Sequence, residues 1–167
     1  MAVQYTWSAI DHGPNIDIVN DAIIQYNGRN GDAVVIKTAK PIPKDCSYFY
    51  FEIQINSTKG TDGVTMGISP ETPSNEDALI FTPRQSYHFD DVIGCYVDLK
   101  SLTYFFTMNG KILCEPIKFD LKDDVLYPSV GLSLDGDRIH VSFNEENCKF
   151  NVQGKGMYYS GFTLSLL

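Results

Sequence analysis

The segment from Asp91 to Phe143 restricts the fold more than any other part of the chain. It opens as DVIGCYVDLKSLTYFFTMNGKIL, passes through a polar gap, and closes as LYPSVGLSLDGDRIHVSF. Short apolar runs alternate with turn residues, and Asn109-Gly110 separates two of them. Both residues tolerate the positive φ that a type I′ turn demands, so the pair predicts a β-hairpin. The runs also carry facing information. Ile93, Cys95 and Val97 share one face of Val92–Asp98, with Val92, Gly94, Tyr96 and Asp98 on the other. Both faces are largely apolar, as expected for a strand inside stacked sheets. In Arg138–Phe143 the alternation is cleaner: Ile139, Val141 and Phe143 point inward, and Arg138, His140 and Ser142 point to solvent.

The same grammar extends over the rest of the chain. Strands are expected at Ile16–Val19, Ile23–Asn27, Ala33–Thr38, Tyr48–Ile55, Val64–Ile68, Val92–Asp98, Thr103–Met108, Lys111–Glu115, Leu126–Leu132 and Arg138–Phe143. Asn27-Gly28, Asn30-Gly31, Asp62-Gly63 and Asp135-Gly136 supply turns between them. Evenly spaced short strands with such punctuation indicate an all-β sandwich or barrel. Helical signals are confined to one turn after Ser74, hemmed by Pro73 and Pro83. The polar stretch Pro70–Phe89 reads as a surface excursion, Trp7 as a residue docking an N-terminal strand, and Gly161–Leu167 as a terminal edge strand.

Composition excludes several functions. A length of 167 residues fits one domain or at most two small ones. The net charge is −8, and the arginines are only Arg29, Arg84 and Arg138, without a Lys/Arg cluster. Neither nucleic acid nor an anionic membrane is an expected partner, because both require clustered cations. The first residues, MAVQYTWSAIDHG, lack the basic and apolar regions of a signal peptide. No apolar stretch is long enough to span a bilayer. Cys46, Cys95, Cys114 and Cys148 show no metal-ligand spacing and read as reduced thiols of an intracellular, cytoplasmic protein. The carboxylates at Asp90-Asp91, Asp120-Asp123-Asp124, Asp135-Asp137 and Glu145-Glu146 read as solvated loops, so no metal, cofactor or catalytic residue is expected.

Five motifs, in order, resemble the SPRY domain family: Tyr48-Phe49-Tyr50-Phe51-Glu52-Ile53, Met66-Gly67-Ile68-Ser69, Asp91–Asp98, Phe105–Gly110 and Leu126–Gly131. The resemblance implies a single domain over residues 1–167. Its motif-bearing core is 48–143, flanked by N-terminal strands in 1–47 and C-terminal strands in 144–167. It implies a concanavalin-A-like sandwich of two antiparallel sheets and a non-catalytic role in binding peptides or proteins through loops at one end. The chain departs from the pattern in three places. Only residues 68–90 separate Gly67 from Asp91, Asp90 replaces the usual glycine before Asp91, and Leu134-Asp135-Gly136 stands where some members carry Trp-Gly.

By position, the resemblance points to three loops: Gly28–Asp32 with Arg29 and Asn30, Ser86–Phe89 with Tyr87 and His88, and Ser133–Asp137 with Leu134, Asp135 and Gly136. An exposed Tyr87 would offer a large anchor at low entropy cost, whereas a buried one would pack the sheet rim. Arg29 would clamp an acidic group or remain a solvated turn residue. The expected partner is therefore a protein or peptide, and the expected role is adaptor or assembly subunit. A carbohydrate-binding lectin and a structural subunit of a permanent complex are the alternatives.

Overall fold

The computed structural model describes residues 4–10, 13–29, 31–56, 63–71, 79–81, 87–120 and 125–153. In chain order the strands are β1 (Ile16–Asn20), β2 (Ile23–Tyr26), β3 (Val34–Lys37), β4 (Tyr48–Ile55), β5 (Val64–Pro70) and β6 (Leu79–Phe81). They continue as β7 (Val92–Asp98), β8 (Thr103–Met108), β9 (Lys111–Ile112), β10 (Ile117–Lys118), β11 (Leu126–Leu132) and β12 (Arg138–Ser142). One antiparallel sheet runs β1-β2-β12-β4-β7-β8-β10, with β9 also paired to β8; the other runs β3-β11-β5-β6. The architecture is thus all-β, with two antiparallel sheets facing each other. The one helical element among the described residues is a 3₁₀ turn, Glu145–Asn147, capped by the Asn144 side chain.

Alternation along the strands builds the core. Phe49, Phe51, Ile53 and Ile55 of β4 point inward beside Ile93, Cys95 and Val97 of β7. Tyr104, Phe106 and Met108 continue this layer on β8, as the strand period of two requires. Val64, Met66 and Ile68 of β5 and Val130 and Leu132 of β11 supply the opposing layer. Buried Cys95 has its thiol pKa pushed up by desolvation, which makes it an inert packing group. Trp7 is buried, bridges to Thr38 beyond β3, and meets Phe143 edge-on at 5.9 Å, so the N-terminal segment does dock on the sandwich.

The Asn109-Gly110 hairpin forms as its residue types require: φ is 49° at Asn109 and 82° at Gly110. Two short strands escape the sequence pattern, because β6 has three residues and β10 two, too few for a period to register. Conversely, the expected strand Lys111–Glu115 stops at Ile112. The turn after Ser74 and the edge strand Gly161–Leu167 lie outside the described residues.

The outer face of the larger sheet is partly covered by the chain itself. Glu52, only 3% exposed, accepts hydrogen bonds from the Tyr50 hydroxyl (2.7 Å) and from the backbone N–H groups of Lys149 (2.8 Å) and Phe150 (2.9 Å). Phe150 lies against Tyr50 and Phe105, with ring centroids 5.3 and 6.0 Å away. Burial, reinforced by the neighbouring Glu52 charge, pushes the Tyr50 hydroxyl pKa far up, so it stays a donor. The Tyr50 and Thr107 hydroxyls sit 2.8 Å apart, directly over Gly94. A methyl group at position 94 would overlap both. Gly94→Ala is therefore expected to destabilise the protein by about 1–3 kcal/mol, the usual range for overpacking. Urea denaturation checks this; an unchanged midpoint would contradict the packing described.

Candidate functional site

The antiparallel registers gather Tyr26, Val34, Ile55, Val64, Val92, Leu132 and Arg138 at one end of the two sheets. Every described residue named as a site candidate from sequence lies in the connections at that end. The loops there are stitched together by backbone groups. Tyr26 N–H donates to Asp137 C=O at 2.8 Å, Gly136 N–H to Tyr26 C=O at 3.0 Å, and Gly31 N–H to Ser133 C=O at 2.9 Å. The buried Tyr26 hydroxyl reaches the carbonyls of Arg29 (2.9 Å) and Asp32 (2.6 Å). Gly28 passes so close to this ring that a side chain there would collide with it. Asp137, fully buried, accepts from the N–H groups of Leu134 (2.9 Å) and Ser133 (3.4 Å) and so ties its own loop into a turn.

Within this frame Arg29 and Asp135 converge. Both are exposed, and with Asn15, Asn27, Gly28 and Asp32 they line a depression of about 530 Å³. Leu134 and Gly136 belong to the same loop but do different work. Leu134 packs half-buried against Gly63, and Gly136 holds φ at 87°, a conformation that glycine adopts without strain. Asn30 lies outside the described residues.

The third loop corrects one expectation. Tyr87 is 1% exposed and belongs to the core, so its ring is not available as an exposed anchor. Phe89, two residues on, is 61% exposed, and the His88 side chain is 82% exposed. The turn that carries Phe89 into β7 is fixed by its backbone. Asp90 adopts φ 75°, its N–H donates to Ile55 C=O at 2.7 Å, and Asp91 N–H donates to His88 C=O at 3.2 Å. This positive φ explains why glycine is usual before Asp91. Aspartate tolerates the region better than most residues, and the Asp90 carboxylate is held by Gln54 Nε2. The sequence places Phe89 within the expected loop Ser86–Phe89 but singles out Tyr87 and His88 there. The available signal was an aromatic pair, Tyr87 and Phe89, just ahead of two turn-forming aspartates.

Asp91 fastens this loop to the hairpin. Its carboxylate accepts from Asn109 Nδ2 at 2.9 Å and from His88 N–H at 2.7 Å, while Asn109 Oδ1 accepts from Val92 N–H at 2.9 Å. Burial opposes ionisation of Asp91, but these donors outweigh it and hold the carboxyl below the ordinary carboxylate value. Among the described residues no group of three or more His, Cys, Asp or Glu side chains is placed to hold a metal ion. No helix among them is long and apolar enough to cross a membrane.

Comparison with known proteins follows the same lines. Residues 74–146 match the SPRY domain family. The chain is 33% identical over 173 residues to the Ran-binding proteins 9/10 homolog of Drosophila melanogaster, covering 87% of this chain and 18% of that protein. Against Ran-binding protein 9 of Homo sapiens, identity is 31% over 176 residues, covering 89% of this chain and 24% of the relative. The chain therefore spans about a quarter or less of these relatives. Among solved structures, the SPRY domain of human HERC1 superposes with a TM-score of 0.65 at 16% identity, covering 82% of this chain and 97% of the other. The Drosophila melanogaster neuralized NHR1 domain gives 0.59 at 11% identity, covering 86% and 100%.

Two outcomes are expected of this end. Tyr87→Ala empties a buried aromatic site and is expected to destabilise by about 3–5 kcal/mol, measured by thermal or chemical unfolding; full stability in that variant would return Tyr87 to the surface. Asp91, with its folded-state pKa depressed, contributes stability that is present above its unfolded value and is lost as pH falls through the folded value. Asn109→Ala removes one donor, so acid unfolding followed by fluorescence is expected to begin at higher pH than in the parent protein.

Proposed function

Because this chain carries a SPRY domain, a type of protein-interaction module, we propose that it captures a peptide or protein surface through the loops described above. It acts as an adaptor or assembly subunit rather than as an enzyme. One observation carries the proposal: Phe89 stands exposed on a turn whose backbone is fixed by β4, at the same end of the sandwich as the Arg29–Asp135 depression. An exposed aromatic on a rigid turn is a low-entropy anchor, and arginine pairs with carboxylates or carbonyls at an interface rim. Loops cross-linked to their neighbours lose little further freedom on binding, which favours affinity. The partner would supply an apolar pocket for Phe89 and acceptor groups for Arg29. We place the site on Arg29, His88, Phe89 and Asp135 of one module spanning residues 1–167, inside the cell. The relatives' names make Ran one partner to test directly.

The experiment is affinity purification with mass spectrometry, repeated with Phe89→Ala and Arg29→Ala. Each exposed-residue variant is expected to melt like the parent. Recovery of the partner should fall about tenfold for Phe89→Ala, the effect of losing roughly 1.4 kcal/mol at an interface anchor. Undiminished recovery by the double variant would remove the loops from the binding site.

A further inference from the structure

A depression of about 1180 Å³ lies on the outer face of β12 and β4, bordered toward the loop end by Gln54 and Val92. We propose that this groove is a second docking surface, one that takes an extended segment rich in lysine or arginine. Its floor follows the sheet register. His140 of β12 stands opposite Gln54 of β4, and Gln54 opposite Val92 of β7. The Asp21–Ala22 turn walls one side, and the 3₁₀ turn with Glu145 and Glu146 walls another.

Two observations select the occupant. The first is continuity with an interface the chain already makes. The neighbouring part of the same sheet face holds the chain's own extended segment, whose Lys149 and Phe150 N–H groups are captured by Glu52. Glu52 and Lys149 both line the groove, so it prolongs a surface already suited to an extended strand. The second is charge. Asp21, Glu52, Glu145 and Glu146 line the groove, and Lys149 is the one Lys or Arg among its described lining residues. The carboxylate of Glu52 is met by a hydroxyl and two N–H dipoles, which solvate it without cancelling its charge. Its field therefore adds to that of the rim carboxylates. A strand presents alternate side chains to one face, so Lys or Arg at every second residue would point into the groove.

The test uses the full chain and a short fluorescent peptide alternating Lys and Ser, with a Glu/Ser counterpart as control. Anisotropy is expected to detect the basic peptide alone, with affinity falling as salt rises. Asp21→Lys with Glu146→Lys reverses two exposed rim charges and should weaken binding by about tenfold or more, as for mispaired interface charges. Phe89→Ala with Arg29→Ala should leave it unchanged, which separates this groove from the binding loops. NMR shift changes are expected at Gln54, Val92 and His140. The proposal is overturned by failure of the basic peptide to bind, by equal binding of the acidic one, or by full affinity in the charge-reversed variant. Shifts confined to residues 27–29 and 87–91, or tighter binding of a peptide of residues 154–167, would overturn it equally.

Discussion

A buried carboxylate governs the outer face of the larger sheet. Glu52 stands in the middle strand of that sheet, where an uncompensated charge would be heavily penalised. Three donors resolve the conflict, and two of them come from backbone nearly a hundred residues further along the chain. The segment after β12 must therefore turn back across β4, which it does through the 3₁₀ turn Glu145–Asn147. Once there, Phe150 fills an aromatic slot between Tyr50 and Phe105, and Gly94 must remain without a side chain beneath the Tyr50–Thr107 pair. One side chain thus links strand alternation, the path of the chain and the need for glycine in the DVIGC motif.

This arrangement divides the labour of the molecule. The face over β4, β7 and β8 is partly covered by the chain itself around Phe150, while an acidic groove stays open over β12 and the neighbouring part of β4. The inner face is an aromatic and aliphatic core. The connections at one end, where we propose that a partner binds, are presented by a rigid scaffold. The Asp91–Asn109 contact and the Tyr26 hydroxyl do for the loops what Glu52 does for the returning segment: they satisfy polar groups and fix backbone at the same time.

Much of the fold was legible in the sequence because its signals are local. Alternation placed Ile93, Cys95 and Val97 opposite Gly94 and Tyr96, and Asn109-Gly110 marked its hairpin. The ordered motifs from Tyr48 to Phe143 then identified the family. What escaped depended on long-range contacts. β6 and β10 exist only because a longer strand lies alongside each to pair with. Glu52 is the only acid in the strand Tyr48–Ile55, and no residue near it in sequence announces its partners at Lys149 and Phe150. Which of Tyr87 and Phe89 is buried depends on how this loop packs against the sandwich, which composition and periodicity do not encode.

The central claim is that partner binding occupies the loop end and leaves the sheet faces in place. Hydrogen–deuterium exchange on the purified complex tests it most directly. Binding through the loops requires added protection at residues 27–32, 87–91 and 133–137 when the partner is bound. Protection that spares all three loops, whether confined to the outer sheet faces or missing altogether, would contradict it.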